Sequence, residues 1–167
     1  MRIIIGAVLL IAGAMFCGGS AARRLSERTK VLTSLTSAIG FIRAEITFGY
    51  TPLPIVCEKL TGAYGELRAL FEPCAGDITS DLGFEPRWQS AINAANFPLK
   101  TDERETLREL GGVLGRYDAE SQRAALERAE SRFAAFADLA RLEQREKSRL
   151  YGFMGAAAGI ALTILIV

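Results

Sequence analysis

Apolar positions along this chain form two patterns, continuous runs at the ends and helical stripes between them. Residues 3–22 (IIIGAVLLIAGAMFCGGSAA) and 150–167 (LYGFMGAAAGIALTILIV) hold no charge. Both come near the roughly 20 residues that span hydrocarbon. Leu32, Leu35, Ile39, Ile42 and Ile46 then recur at alternating spacings of three and four, which predicts one helix continuing out of the first run and closing at Gly49. Thr51-Pro52 reads as a helix start, with threonine as cap and proline at the first helical position. Leu53, Val56, Cys57 and Leu60 share the face that follows, and Gly62 and Gly65 break the chain again.

The next stretch reads as short pieces. Leu67, Leu70 and Phe71 predict a third helix ending before Pro73, and Ile78 and Leu82 a fourth. A fifth begins near Pro86 with Trp88, Ala91, Ile92 and Ala95 inward and stops before Asn96-Phe97-Pro98. Asp102 followed by Glu105 resembles a capping arrangement for a sixth, with Leu107, Leu110, Val113 and Leu114 as its core face and Gly115 as its end. Asp118 caps the longest helix, whose stripe of Leu126, Ala129, Phe133, Phe136 and Ala140 runs without a breaker into the second apolar run. The expected fold is all-α, a helical bundle of about six helices over residues 23–149 between transmembrane helices at 3–22 and 150–167. Leu35, Ile39, Ile42, Phe133 and Phe136 are its expected core, with the two long helices packed antiparallel. Homotypic coiled coil is the alternative use of these stripes, and it leaves a homo-oligomer open.

Charge decides which side of the membrane the bundle faces. Residues 23–149 carry 19 of the 20 basic groups and all 19 acidic ones. Arg23, Arg24, Arg28 and Lys30 follow the first run, and Arg141, Arg145, Lys147 and Arg149 precede the second. Loops rich in arginine and lysine beside a span stay cytoplasmic, so these residues serve as anchor charges and place the middle domain in the cytoplasm. A cleaved signal peptide is the other reading of the N-terminus, because Arg2 precedes the run and Ser20-Ala21-Ala22 offers a cleavage site. The run is long for that purpose and Arg23 and Arg24 would open the mature chain, so a retained anchor is preferred.

The near-neutral balance, +1 overall, argues against nucleic acid, which needs a basic excess or stripe. No histidine is present, which removes Ser-His and Cys-His nucleophile pairs and His-ligated metals. Cys17, Cys57 and Cys74 have no CxxC spacing and read as small buried side chains in a reducing compartment. GAYGEL at 62–67 and GGVLG at 111–115 lack the Lys-Ser or Lys-Thr end of a P-loop and read as turns or helix ends. No catalytic residue, metal site or cofactor is expected. Gly155 and Gly159, with Gly152 beside them, make a groove that lets another membrane helix approach closely, either a partner's or the first span of the same chain through Ala7, Ala14 or Gly18.

Four separated pieces add a family likeness. Ala22-Arg23-Arg24-Leu25-Ser26-Glu27-Arg28 follows the first run, then Glu45-Ile46-x-x-Gly49-x-Thr51-Pro52-Leu53-Pro54, then Leu114-Gly115-x-x-Asp118-x-x-x-Gln122, then Glu146-Lys147-x-x-x-Leu150-Tyr151. In order and spacing the chain resembles the stage III sporulation protein AB family over its full length. That resemblance implies a multi-pass protein of the mother cell membrane around the forespore, part of the channel assembly of endospore formers. It also implies a cytoplasmic part similar to the inner-membrane platform domain of type II secretion machines, with a hexameric secretion-type ATPase like stage III sporulation protein AA and other stage III channel proteins as partners. The match departs at Cys57 and in the glycine-rich 62–76 segment, where the family leads one to expect a longer polar helix. A membrane-tethered regulatory adaptor with no secretion role is the alternative function.

Overall fold

The structure is a computed structural model that describes the backbone of residues 2–76, 83–114 and 119–166, and the side chains of residues 22–76, 83–114 and 120–147. Six α-helices are found among the described residues: α1 Arg2–Ala44, α2 Leu53–Ala63, α3 Arg68–Phe71, α4 Phe84–Ala94, α5 Thr101–Val113 and α6 Ala119–Ile166. No strand is present among these residues. The chain divides into two compact units, Lys30–Asp138 and a second one made of Met1–Thr29 with Leu139–Val167. The packed unit is shorter at both ends than the 23–149 interval expected from charge.

Within Lys30–Asp138, Leu32, Leu35, Ala38, Ile39 and Ile42 of α1 are fully buried, as the stripe requires. Among the described residues Ala22–Gly49 is the one helical stretch long and apolar enough to cross a membrane. These five core side chains are what gives it that composition. The α6 residues Leu126 and Phe133 are fully buried too, whereas Phe136 is only half-buried. Its ring meets Phe133 edge-on at 5.9 Å, and Ala137 takes the inward place. The inward line of α6 in this unit is therefore Leu126, Ala129, Phe133 and Ala137, because spacings of three and four only approximate 3.6 residues per turn. The same helix reaches α1 through Glu130, which accepts from Nε of Arg43 at 2.9 Å. A Cβ on Gly40 would stand 2.9 Å from a Glu130 carboxylate oxygen.

The 62–76 segment folds as short turns, and α2 runs through Gly62 instead of stopping there. Helix α3 lies between single 3₁₀ turns, Gly65–Leu67 and Glu72–Cys74, and Leu67, Leu70, Phe71 and Cys74 are buried along it. The helix expected around Ile78 and Leu82 lies outside the described residues, as do Gly115 and Asp118.

Helices α4 and α5 form a hairpin. Helix α4 starts at Phe84, so Pro86 sits in the first turn, where its missing N–H has no helical partner to lose. Trp88 is buried between Phe71 and Phe84, with ring centroids at 5.9 and 5.6 Å, and its Nε1 donates to the Leu107 carbonyl at 2.8 Å. Arg104 donates to the carbonyls of Ile92 (2.8 Å) and Phe97 (3.1 Å), satisfying groups left open where α4 ends. The expected Asp102–Glu105 cap is displaced: Lys100 N–H donates to the Glu103 carboxylate at 2.7 Å, and Glu105 instead pairs with Arg108. Helix α5 ends at Val113, within the 111–115 segment read as a turn or helix end, and Gly111 lies in its last turn against Trp88.

Candidate protein-contact site

The α1–α2 junction is built around one carboxylate. After Ala44 the helix widens into a single π turn, Glu45–Gly49, and the left-handed residue that ends it is Tyr50, with φ 47°. The helical stretch ends at Gly49, as expected, and it does so in a π turn, which holds one more residue than an α turn. Tyr50 and Thr51 both donate their backbone N–H to the Glu45 carbonyl. The Glu45 carboxylate accepts from the Thr51 hydroxyl at 2.5 Å and from Lys59 Nζ at 3.0 Å. Those two hydrogen bonds, the Thr51 one foremost, hold the Glu45 carboxyl below its ordinary pKa.

Gly49 is needed here for a steric reason. A Cβ at that position would lie 2.9 Å from the Glu45 carboxylate and 3.0 Å from the Thr51 hydroxyl. Thr51 therefore bonds backward to Glu45 and does not cap α2, whose first turn is closed by the Pro52 carbonyl accepting from Ile55 and Val56. Glu45, Gly49, Thr51 and Pro52, four fixed positions of the sequence pattern, thus have one joint purpose. They make a rigid corner.

That corner presents apolar surface outward. Phe48 is 82 % and Tyr50 87 % exposed, and Ile55 stands beside them on α2 at 47 %. Aromatic side chains held out of a core by a fixed backbone are the usual anchors of protein interfaces, and a non-glycine residue in the left-handed region persists only where its surroundings impose it. The sequence reading passed over these three residues. The available signal was that Phe48 falls off the Leu32–Ile46 stripe and that an aromatic residue stands on each side of Gly49.

The expected anchor charges separate into two groups. Arg23, Arg24, Arg145 and Lys147 are exposed. Arg28 is buried and donates to Glu143 at 2.8 Å, so its charge is answered inside its own unit and not offered to a membrane surface. Lys30 is exposed but lies 3.8 Å from Glu66, whose other carboxylate oxygen accepts from the Ser34 hydroxyl. The Ser34 bond, foremost, and Lys30 keep the Glu66 carboxyl below its ordinary value. Arg149 and the side-chain environment of Gly152, Gly155 and Gly159 lie outside the described residues.

Cys57 and Cys74 are free and buried, and burial pushes their thiols up to about 12 and about 11. They are packed groups, not nucleophiles. No group of three metal-ligating side chains occurs among the described residues.

The fold is an all-α helical bundle whose two long helices flank short ones. The stage III sporulation protein AB family model matches residues 3–167, and the chain belongs to that family. It is 24 % identical over 169 residues to "Stage III sporulation protein AB" of Bacillus subtilis (strain 168), covering 98 % of each chain. A solved structure of stage III sporulation protein AB (SpoIIIAB) shares the fold, with a TM-score of 0.66 and 23 % identity over 72 % of this chain and 98 % of that one. The chain is accordingly a sporulation protein.

Proposed function

We propose that this protein is a non-enzymatic platform in the mother cell membrane, a scaffold of the secretion-like channel complex between mother cell and forespore. The observation that carries the reading is the continuity of α1 and α6, which run unbroken from the packed unit into the uncharged stretches at 3–22 and 150–167. A body rooted at both ends of its chain is restrained more firmly than one on a single tether. The exposed basic residues Arg23, Arg24, Arg145 and Lys147 sit at the inner ends of those stretches and keep the body cytoplasmic.

On this reading the neighbours are a hexameric secretion-type ATPase and other stage III channel proteins. The body supplies the surface and the ATPase the work. Affinity purification of the tagged full-length chain from membranes of sporulating cells tests it, with capture of the ATPase as the expected result. A chain that leaves the membrane in a carbonate wash, or that never retains the ATPase after crosslinking, sinks the platform reading.

A further inference from the structure

The packed unit that exposes Phe48 and Tyr50 also contains a groove. Between α5 and α6 lies a half-open groove of about 160 Å³, lined by the apolar Leu110, Val113, Ala125 and Ala129 together with Thr106, Glu109, Arg128 and Arg132. Arg132 is tied to Glu109 at 2.9 Å. Arg128 is exposed and makes no ion pair among the described residues. A dry apolar cavity of about 150 Å³ accommodates a benzene ring, so this groove has the capacity for one phenyl side chain.

The corner offers the complementary charge as well. Glu58 is exposed, one helical turn beyond Ile55, and likewise makes no ion pair among the described residues. Lys59, the next residue along, pairs with Glu45, so the α2 turn that carries Glu58 is tied to the π turn that carries Phe48, and Glu58 itself keeps no ion pair among the described residues. An apolar ring next to a carboxylate is what an apolar groove edged by a guanidinium receives best.

We infer that Phe48 of one copy seats in the α5–α6 groove of a second copy, with Glu58 against the second copy's Arg128. This rests on the platform reading, because two chains anchored in one membrane meet at a raised effective concentration. Phe48 is the ring that enters, since it has no polar atom to strand, whereas the Tyr50 hydroxyl needs water or a partner at the rim. Corner and groove are different surfaces of the chain. The contact is therefore head-to-tail, and each copy keeps one corner and one groove free for the next, which builds a ring or an open row.

Cysteine crosslinking of the full-length chain in native membranes tests the contact, with the wild-type chain and its own three cysteines as baseline. Tyr50→Cys with Ala125→Cys on one chain, Phe48 kept, should give a ladder of dimer, trimer and larger species under mild oxidation. Tyr50→Cys alone or Ala125→Cys alone should add nothing to the baseline, and co-expression of the two single variants should stop at dimers. Arg128→Glu should cut the ladder about tenfold, and adding Glu58→Arg should restore it. A dimer from Tyr50→Cys alone, an adduct with a different protein, no ladder, or a ladder indifferent to Arg128→Glu overturns the inference. If the ladder is missing while the chain stays in the membrane and retains the ATPase, only this contact fails and the platform reading stands.

Discussion

The indole of Trp88 occupies the space that a side chain on Gly111 would need: a Cβ there would lie 2.1 Å from the ring's Cδ1. The same ring is fixed from α5 by its hydrogen bond to the Leu107 carbonyl, so it cannot swing away without abandoning a buried donor. The adjacent Gly112 is in a different position, with its nearest neighbour a Glu85 carboxylate oxygen at 3.4 Å.

Two neighbouring glycines should therefore respond in opposite directions. Gly111→Ala forces overpacking, which typically costs about 1 to 3 kcal/mol or more, and should lower the apparent Tm of the detergent-solubilised chain by several degrees. Gly112→Ala replaces a helix-interior glycine where a methyl has room, a change that gains roughly 0.5 to 1 kcal/mol, and should leave Tm equal or higher. Equal losses at both positions would show that α4 and α5 are not packed as described.

On α6, burial separates two consecutive residues. Phe133 is fully buried, so Phe133→Ala should cost about 3 to 5 kcal/mol. Arg132 and Glu109 are half-exposed or more, and an ion pair of that kind contributes about 0 to 1 kcal/mol. Arg132→Ala should hardly move the urea midpoint, while Phe133→Ala should shift it strongly.

Acid should loosen the α1–α2 corner. Glu45 binds its proton less readily in the folded chain than at its ordinary value of 4.5, so its contribution is complete above that pH and is lost as pH falls through the lower, folded value. Glu45→Gln removes the contribution at every pH. The stability difference between wild type and Glu45→Gln should thus be fully open above the ordinary carboxylate value of 4.5 and should narrow as pH falls below it, read from urea midpoints. A difference that grows on acidification would contradict the hydrogen bonds from Thr51 and Lys59.

Topology is best read from an added thiol, because the native Cys57 and Cys74 are buried and hard to ionise. Ser26 is exposed beside the first uncharged stretch. In intact cells Ser26→Cys should escape an impermeant maleimide and be labelled after lysis, whereas Cys57 and Cys74 should react only in denaturant. Labelling of Ser26→Cys before lysis would place the body outside.

Periodicity made the helices legible, since a buried face repeats locally whatever it packs against. What it could not show were features with a distant or non-helical cause. The glycine at 111 falls inside the predicted helix, but nothing nearby announces that Trp88, 23 positions earlier, will fill its place. Lys100 carries no acceptor that marks a helix start, so the cap formed by its backbone and Glu103 was assigned two residues late. Phe48 and Tyr50 went unassigned because a buried-face repeat describes only the residues on it, and neither the π turn nor the left-handed Tyr50 that ends it belongs to a 3.6-residue template.

The separation between Arg43 and Glu130, 87 positions along the chain, also has a meaning in time. Helix α1 leaves the ribosome first, and the part of α6 that carries Glu130 follows roughly 4 to 20 s later at bacterial rates of about 5 to 20 residues per second. Throughout that interval Ala22–Gly49 is apolar enough to pass for a membrane span, and the α6 surface that later meets Gly40 and Arg43 does not yet exist. Arg43 and Glu45 stand inside the apolar part of that stretch, and a charged side chain drawn into hydrocarbon opposes insertion, by roughly 2.5 to 3.5 kcal/mol at the centre of a span.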